Sequence, residues 1–160
     1  MTSLQERPVI GLRPATIDDC DDLLTWRNDP VTRAMSRDHG AVERDVHRRW
    51  LESALADADR VILIGECDGG KVGMVRFDRN DEGWEVSINL DPALRGKGLG
   101  AALLAQAVEV FVRNNSGPAL TATVRADNPA SRKIFAACGF RPAGISGGHD
   151  HFVRPGGDRG

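Results

Sequence analysis

Arg95-Gly96-Lys97-Gly98-Leu99-Gly100-Ala101 sits where one regular pattern stops and another starts. The run before it, Trp84-Glu85-Val86-Ser87-Ile88-Asn89-Leu90, alternates as a strand does. From Gly98 to about Asn114 the apolar residues Leu99, Leu103, Leu104, Ala107, Val108, Phe111 and Val112 keep helical spacing, and Leu120 to Arg125 returns to strand chemistry. Strand, helix, strand predicts a right-handed crossover between two parallel strands. The glycines Gly96, Gly98 and Gly100 open that helix at alternate positions. Backbone amides at a helix N-terminus are unpaired and together carry about half a positive charge. Glycine also lets an anion come close to the backbone. The turn is therefore a candidate seat for phosphate or pyrophosphate; an ordinary glycine turn is the alternative reading of the same letters.

Two better-known phosphate loops do not match. A P-loop needs GxxxxGK followed by Ser or Thr, whereas Gly70-Lys71 and Gly96-Lys97 are followed by Val72 and Gly98. The dinucleotide pattern GxGxxG fails because Ala101 takes its last glycine position.

Upstream of the turn, Val9 to Arg13 predicts a first strand. Thr16-Ile17-Asp18-Asp19 resembles a capping box for a helix from about Asp18 to Arg27. Asp29-Pro30 ends that helix, and a linking segment leads to a second from about Val42 to Ala56. The buried face of the second is expected to carry Val42, Val46, Trp50 and Leu51, with Glu43, Arg44, Arg48 and Arg49 in water. His47-Arg48-Arg49 reads as a wet helix face, not a nucleic-acid patch. Arg60 to Cys67, Lys71 to Asp78 and Trp84 to Leu90, separated by Asp68-Gly69-Gly70 and Asn80-Asp81-Glu82-Gly83, predict an antiparallel meander. Downstream come a helix over Asn128 to Cys138 stopped by Gly139, short strands at Phe140-Arg141-Pro142 and His151-Phe152-Val153, and a frayed tail from Pro155 to Gly160.

A length of 160 residues fits one domain, 1–160, with its core at about 9–153. With 41% hydrophobic and 28% charged residues the composition is that of a globular protein, and the apolar runs are too short to span a bilayer. Met1 to Pro8 is polar and shows no signal-peptide core, so a cytoplasmic location is expected. Cys20, Cys67 and Cys138 have neither the count nor the spacing of a disulfide framework or zinc site. A net charge of −2 supplies no global field for a polyanion, so neither nucleic acid nor membrane is an expected partner and any anion needs a local seat.

The order of elements resembles the GNAT superfamily of acetyl-CoA-dependent N-acetyltransferases. The likeness rests on Arg95, Gly98 and Gly100, which fit its [RQ]xxGx[GA] signature, and on Asn128-Pro129-Ala130-Ser131 through Phe135 to Gly139-Phe140. It implies an α/β fold of α+β type, a mixed and mostly antiparallel sheet flanked by helices. It implies acetyl-CoA as co-substrate, with its pyrophosphate on the amides of Arg95, Gly96, Lys97, Gly98, Leu99, Gly100 and Ala101 and its arm between the parted fourth and fifth strands. A bulge around Asn89 and Leu90 would expose the backbone that polarises the thioester carbonyl. Asn128 and Ser131 match positions that touch the arm; a helix cap is the other role open to Asn128.

For the chemistry, the resemblance points to Glu85 as the carboxylate base that takes the proton of a primary amine; a solvent-facing strand glutamate is the alternative. The phenol that many members carry is replaced by Phe135, and the chain has no Tyr at all. The acid role is then absent or falls to Cys138, Ser131 or water. His39 is a weaker alternative base. Trp26-Arg27-Asn28 resembles the WRN stretch of members that acetylate nucleotide-linked amino sugars: an indole to stack on a base or sugar and a guanidinium to pair with phosphate. Core burial of Trp26 and a solvated Arg27 are the alternative. The expected partner is a small-molecule amine, with a homodimer possible. A protein N-terminal acetyltransferase, akin to those acting on ribosomal proteins, and a non-catalytic acyl-CoA-binding module are the rival functions. His149 and His151 share a strand face but have no third ligand in the sequence nearby, so no metal is expected.

Overall fold

The computed structural model describes residues 9–35 and 40–156. The strands are β1 (Gly11–Pro14), β2 (Arg60–Cys67), β3 (Gly70–Asn80), β4 (Gly83–Leu90), β5 (Leu120–Arg125), β6 (Arg141–Ser146) and β7 (His149–Arg154). The helices are α1 (Cys20–Arg27), α2 (Pro30–Met35), α3 (Arg44–Leu55), α4 (Leu99–Asn114) and α5 (Pro129–Ala137). They form one seven-stranded sheet in the order β1-β2-β3-β4-β5-β7-β6, antiparallel throughout except for β4 against β5. The expected meander and crossover are both present. Asp68 (φ 54°) and Gly69 (φ 82°) both take positive φ, as the two-residue hairpin turn between β2 and β3 requires.

Each face of the sheet carries its own core. On one, α4 lays Leu103, Leu104, Ala107, Val108 and Phe111 over Val75, Phe77, Trp84, Val86, Leu120 and Ala122. Phe111 stacks on Phe77 at 4.0 Å and meets Trp84 edge-on at 5.0 Å. On the other, α1 and α3 pack Leu23, Trp26, Leu51 and Ala54 on Ile62, Ile64 and Met74.

Three expectations are corrected. Asp29-Pro30 does not only end a helix; it starts α2, because Asp29 Oδ2 accepts from the amides of Val31 and Thr32, both at 3.1 Å, and proline suits the first helical position. The buried face of α3 is His47, Leu51 and Ala54, while Val46 is 47% exposed. The first strand spans Gly11–Pro14, and the last two reach Ser146 and Arg154. Residues 157–160 of the expected tail lie outside the described residues.

The predicted capping box is present, and it does more than cap. Asp19 is 1% exposed and accepts from the Thr16 amide (2.8 Å), from both Nη atoms of Arg13 (2.9 and 2.8 Å) and from Lys71 Nζ (2.8 Å). It thereby ties the start of α1 to β1 and β3. The Arg13 hydrogen bonds, with those of Lys71 and Thr16, outweigh desolvation and hold its carboxyl far below the usual range. Its folded pKa thus lies under the unfolded value of about 3.9, so its contribution is complete above that pH and lost as pH falls below it. Burial, helped by the Arg27 charge, lowers the pKa of His47, which takes further stability away as pH drops below about 6.5. We expect Asp19→Asn to cost on the order of 3 kcal/mol near neutral pH. In urea melts from pH 7 to pH 3, the gap to the native chain should narrow only below about pH 4; a constant gap would deny Asp19 this role.

Candidate active site

β4 and β5 pair only at Trp84 with Leu120 and Glu85 with Thr121, and then part. Asp91 donates to the Val72 carbonyl (2.8 Å), so odd-numbered residues of β4 bond to β3 and even-numbered ones turn their N–H and C=O to the other edge, as Trp84 does with Ala119 (3.2 Å). Ile88 and Leu90 therefore direct backbone polar groups into the gap. The pairing of β3 with β4 runs without a register shift from Gly83 to Leu90. The bulge expected at Asn89 and Leu90 is thus not found; the parted strands expose the backbone there without one.

Trp84 and Val86 point into the α4 core, which puts Glu85, Ser87 and Asn89 on the opposite face. Thr121, Thr123 and His151 continue that face across β5 and β7. His151 lies between two hydroxyls, with Thr123 Oγ1 3.4 Å from Nδ1 and Ser146 Oγ 3.2 Å from Nε2. Asp78, opposite Glu85 on β3, receives the Arg76 Nε at 2.8 Å. No hydrogen bond or ion pair among the described residues engages the Glu85 carboxylate. Among those residues no group of three or more His, Cys, Asp or Glu side chains gathers as a metal would need. His39 lies outside them.

The glycine turn is built as its letters predict. Gly96 and Gly98 have φ of 79° and 75°, and a Cβ on either would meet no atom within 4 Å, leaving the turn open outward. No side chain caps α4, so the amides of Leu99, Gly100 and Ala101 are free of a cap. Lys97 is exposed beside them. Gly100 has a second reason to be glycine: a Cβ there would lie 2.8 Å from Ile134 Cδ1, where α4 meets α5. The Arg95 guanidinium donates to Asp29 Oδ2 (2.8 Å) and Thr32 Oγ1 (2.7 Å). That tie was not foreseen; Asp-Pro-x-Thr at a helix start was the signal for half of it.

Asn128 caps α5, its Oδ1 accepting from the Ser131 amide and its Nδ2 donating to Ser131 Oγ, both at 3.2 Å. Arg132 holds the buried Asp150 at 2.7 Å and fastens α5 to β7. Cys138 Sγ lies 3.5 Å from the Ala101 carbonyl, on the α4 side of the sheet, the opposite face from Glu85.

The acceptor-side expectation needs correction. Trp26 is 4% exposed and packed in the α1–α3 core, so its indole has no free plane to stack on a ligand. Asn28 spends its amide on the backbone of Val42, donating at 2.9 Å and accepting at 2.8 Å, and so clasps the segment before α3. Arg27 is half-buried and close enough to His47 to perturb it. Beside these residues an open cleft of about 560 Å³ runs between the end of α1 and the segment after β4, lined by Leu24, Thr25, Asn28, Asp29, Asp91 and Pro92.

The sequence profile of the Acetyltransferase (GNAT) domain family matches residues 10–141. A mycothiol acetyltransferase of Clavibacter michiganensis subsp. michiganensis (strain NCPPB 382) is 30% identical over 84 residues, which cover 52% of this chain and 26% of that protein. The match thus spans about a quarter of that relative's length. Among solved structures, spermidine N-acetyltransferase from Vibrio cholerae with CoA and spermine superposes with a TM-score of 0.79 at 18% identity, covering 90% of this chain and 92% of that one. The aminoglycoside acetyltransferase AAC(6')-Ib with coenzyme A gives 0.77 at 18%, covering 92% and 95%.

Gly73 sets how closely β3 can approach the end of β4. A Cβ there would lie 2.7 Å from the Asn89 carbonyl oxygen and 2.9 Å from Leu90 Cα, both backbone atoms that cannot swing aside. Gly73→Ala should lower the urea midpoint by the equivalent of about 1–3 kcal/mol, whereas Gly100→Ala meets only the tip of Ile134 and should cost less. Equal losses would refute this ranking.

Proposed function

We propose that this chain, which belongs to the GNAT acetyltransferase family, moves an acetyl group from acetyl-CoA directly to a primary amine of a small molecule. The observation that carries this reading is the parting of β4 from β5 just beyond Glu85, with the backbone of Ile88 and Leu90 facing the gap. The open turn of Gly96 and Gly98 and the uncapped first turn of α4 fit a pyrophosphate at the outer end of that gap. Asn128 and Ser131, at the start of α5, are the residues offered to the cofactor's arm. The two solved neighbours described above carry CoA, which supports the same use of the cleft.

The amine must be neutral to attack, and Glu85, unpaired on the face opposite α4, is the group offered as base, directly or through a water. Nitrogen attacks the thioester carbonyl carbon, an N–H of the Ile88–Leu90 edge supports the oxygen, and the carbon–sulfur bond breaks. Glu85 takes the proton from nitrogen, and solvent or Ser131 returns one to sulfur. Cys138 is less suited to that task, because its thiol already lies at the Ala101 carbonyl.

For the acceptor, the hydroxyl- and amide-rich face of Ser87, Asn89, Thr121, Thr123 and His151 favours an amine on a hydroxylated molecule over a long apolar one. Nucleotide-linked amino sugars are a narrower case, and the burial of Trp26 removes the stacking surface that favoured them. Phe135 in place of a phenol supports a binding-only module as a second reading.

The test is thiol release from acetyl-CoA with aminoglycosides, spermidine, nucleotide-linked amino sugars and free peptide N-termini, beside direct CoA titration. Turnover with a hydroxylated amine is the expected result; tight CoA binding without turnover on any amine would favour the binding module. Glu85→Gln should lower kcat/KM by about 10²–10⁴-fold and change its pH profile. An unchanged profile would exclude Glu85 as the base.

A further inference from the structure

Asp29 carries more bonds than a helix cap needs. Its Oδ2 receives the amides of Val31 and Thr32 at 3.1 Å, the Thr32 hydroxyl at 3.4 Å and the Arg95 guanidinium at 2.8 Å. Arg95 bonds Thr32 Oγ1 as well, at 2.7 Å. The two segments are 66 positions apart in the chain, so the tie is wholly tertiary. Arg95 is the first residue of the glycine turn, and Asp29 also lines the cleft beside Asn28 and Asp91. Desolvation opposes the charge on Asp29, but the Arg95 and backbone hydrogen bonds prevail and hold its carboxyl ionised below the usual range.

Gly96 and Gly98 give the turn its shape and also make it soft, because glycine has the widest choice of backbone conformations. Nothing packs where their side chains would be. A soft turn binds an anion weakly unless something fixes it beforehand, since ordering it would draw on the binding free energy. Arg95 at one end and the packed first turn of α4 at the other bracket the glycines. We infer that Asp29 is a positioning residue for cofactor binding: by anchoring Arg95 to the start of α2 it fixes the glycine turn in its anion-receiving form and joins it to the wall of the acceptor cleft. The inference rests on the pyrophosphate reading of the turn given above.

The test compares Asp29→Asn, Arg95→Gln, the double variant and Gly98→Glu. Asparagine still caps α2, so Asp29→Asn removes the ion pair while leaving the helix its start. Thr32→Val weakens the same tie without touching the cap and serves should Asp29→Asn unfold. The readouts are CoA dissociation constants by titration and the split between kcat and KM for acetyl-CoA. We expect Asp29→Asn and Arg95→Gln each to raise the CoA dissociation constant about tenfold. KM should rise more than kcat falls, and the double variant should be no worse than the poorer single one. Unchanged CoA affinity in Asp29→Asn, or additive losses in the double variant, would overturn the inference. If Gly98→Glu abolishes CoA binding while Asp29→Asn does not alter it, the tie alone fails. If Gly98→Glu binds CoA normally, the pyrophosphate reading itself fails, and the inference with it.

Discussion

Among the described residues, two pairs, Trp84 with Leu120 and Glu85 with Thr121, make up the strand pairing between the antiparallel halves of the sheet. A seam so short cannot hold seven strands by hydrogen bonds alone. What holds it is α4, which places Leu103, Leu104, Ala107, Val108 and Phe111 across both halves, burying Phe77 and Trp84 of one and Leu120, Ala122 and Val124 of the other in a single cluster. Each fully buried side chain of this size is worth about 1.5–3 kcal/mol, so the helix outweighs the missing ladder. This cluster lies on one face; on the other the α1–α3 core covers β2 and β3, and at the seam Glu85, Ser87, Thr121 and Thr123 are half-buried polar residues.

The position of the candidate site follows from that seam. A crossover between parallel strands starts its helix beyond the C-terminal end of the strand it leaves, and here that is the end where β4 and β5 have parted. The uncapped amides of α4 and the backbone edge of Ile88 and Leu90 therefore border one opening. With a net charge of −2 the chain offers no general attractive field, so under the proposed reading the pyrophosphate depends on these local dipoles.

Much of this was legible in the letters because it depends on neighbours in sequence. The Asp68-Gly69 turn, the Thr16 to Asp19 box, the Asn128 cap and the glycine turn each state their geometry within a few residues. What failed depends on partners far along the chain. The face α3 buries was misjudged because His47 is accepted into the core beside Trp50, at 5.5 Å, and the more apolar Val46 is not. The letters leave Trp26 open to stacking or to core burial and only the packing of α1 on the sheet decides for burial, while Asn28 clasps Val42 and still lines the cleft. Asp29-Pro30 was read as a stop because the residue before proline avoids helical angles; the same constraint suits a cap, and only the amides that follow decide between them. Lys71 and Arg13, which keep Asp19 charged inside the fold, meet it from two different strands.

The missing phenol has a structural counterpart. Phe135 is 3% exposed, edge-on to Phe140 at 5.1 Å and near Phe152 at 6.3 Å, within the same core that α4 closes. A hydroxyl added to that ring would need a partner, and an unpaired buried hydroxyl costs about 1–3 kcal/mol. The core is completed here with an apolar ring, and in the proposed reaction this position supplies no proton to the sulfur. A thiol near pKa 8.5 leaves readily enough as thiolate close to neutral pH and can collect its proton from water. The demanding proton is then the one on nitrogen, since an amine held as ammonium has no lone pair to give. In the proposed reaction that weights the chemistry toward the side of the seam where Glu85 stands unpaired, and away from α5.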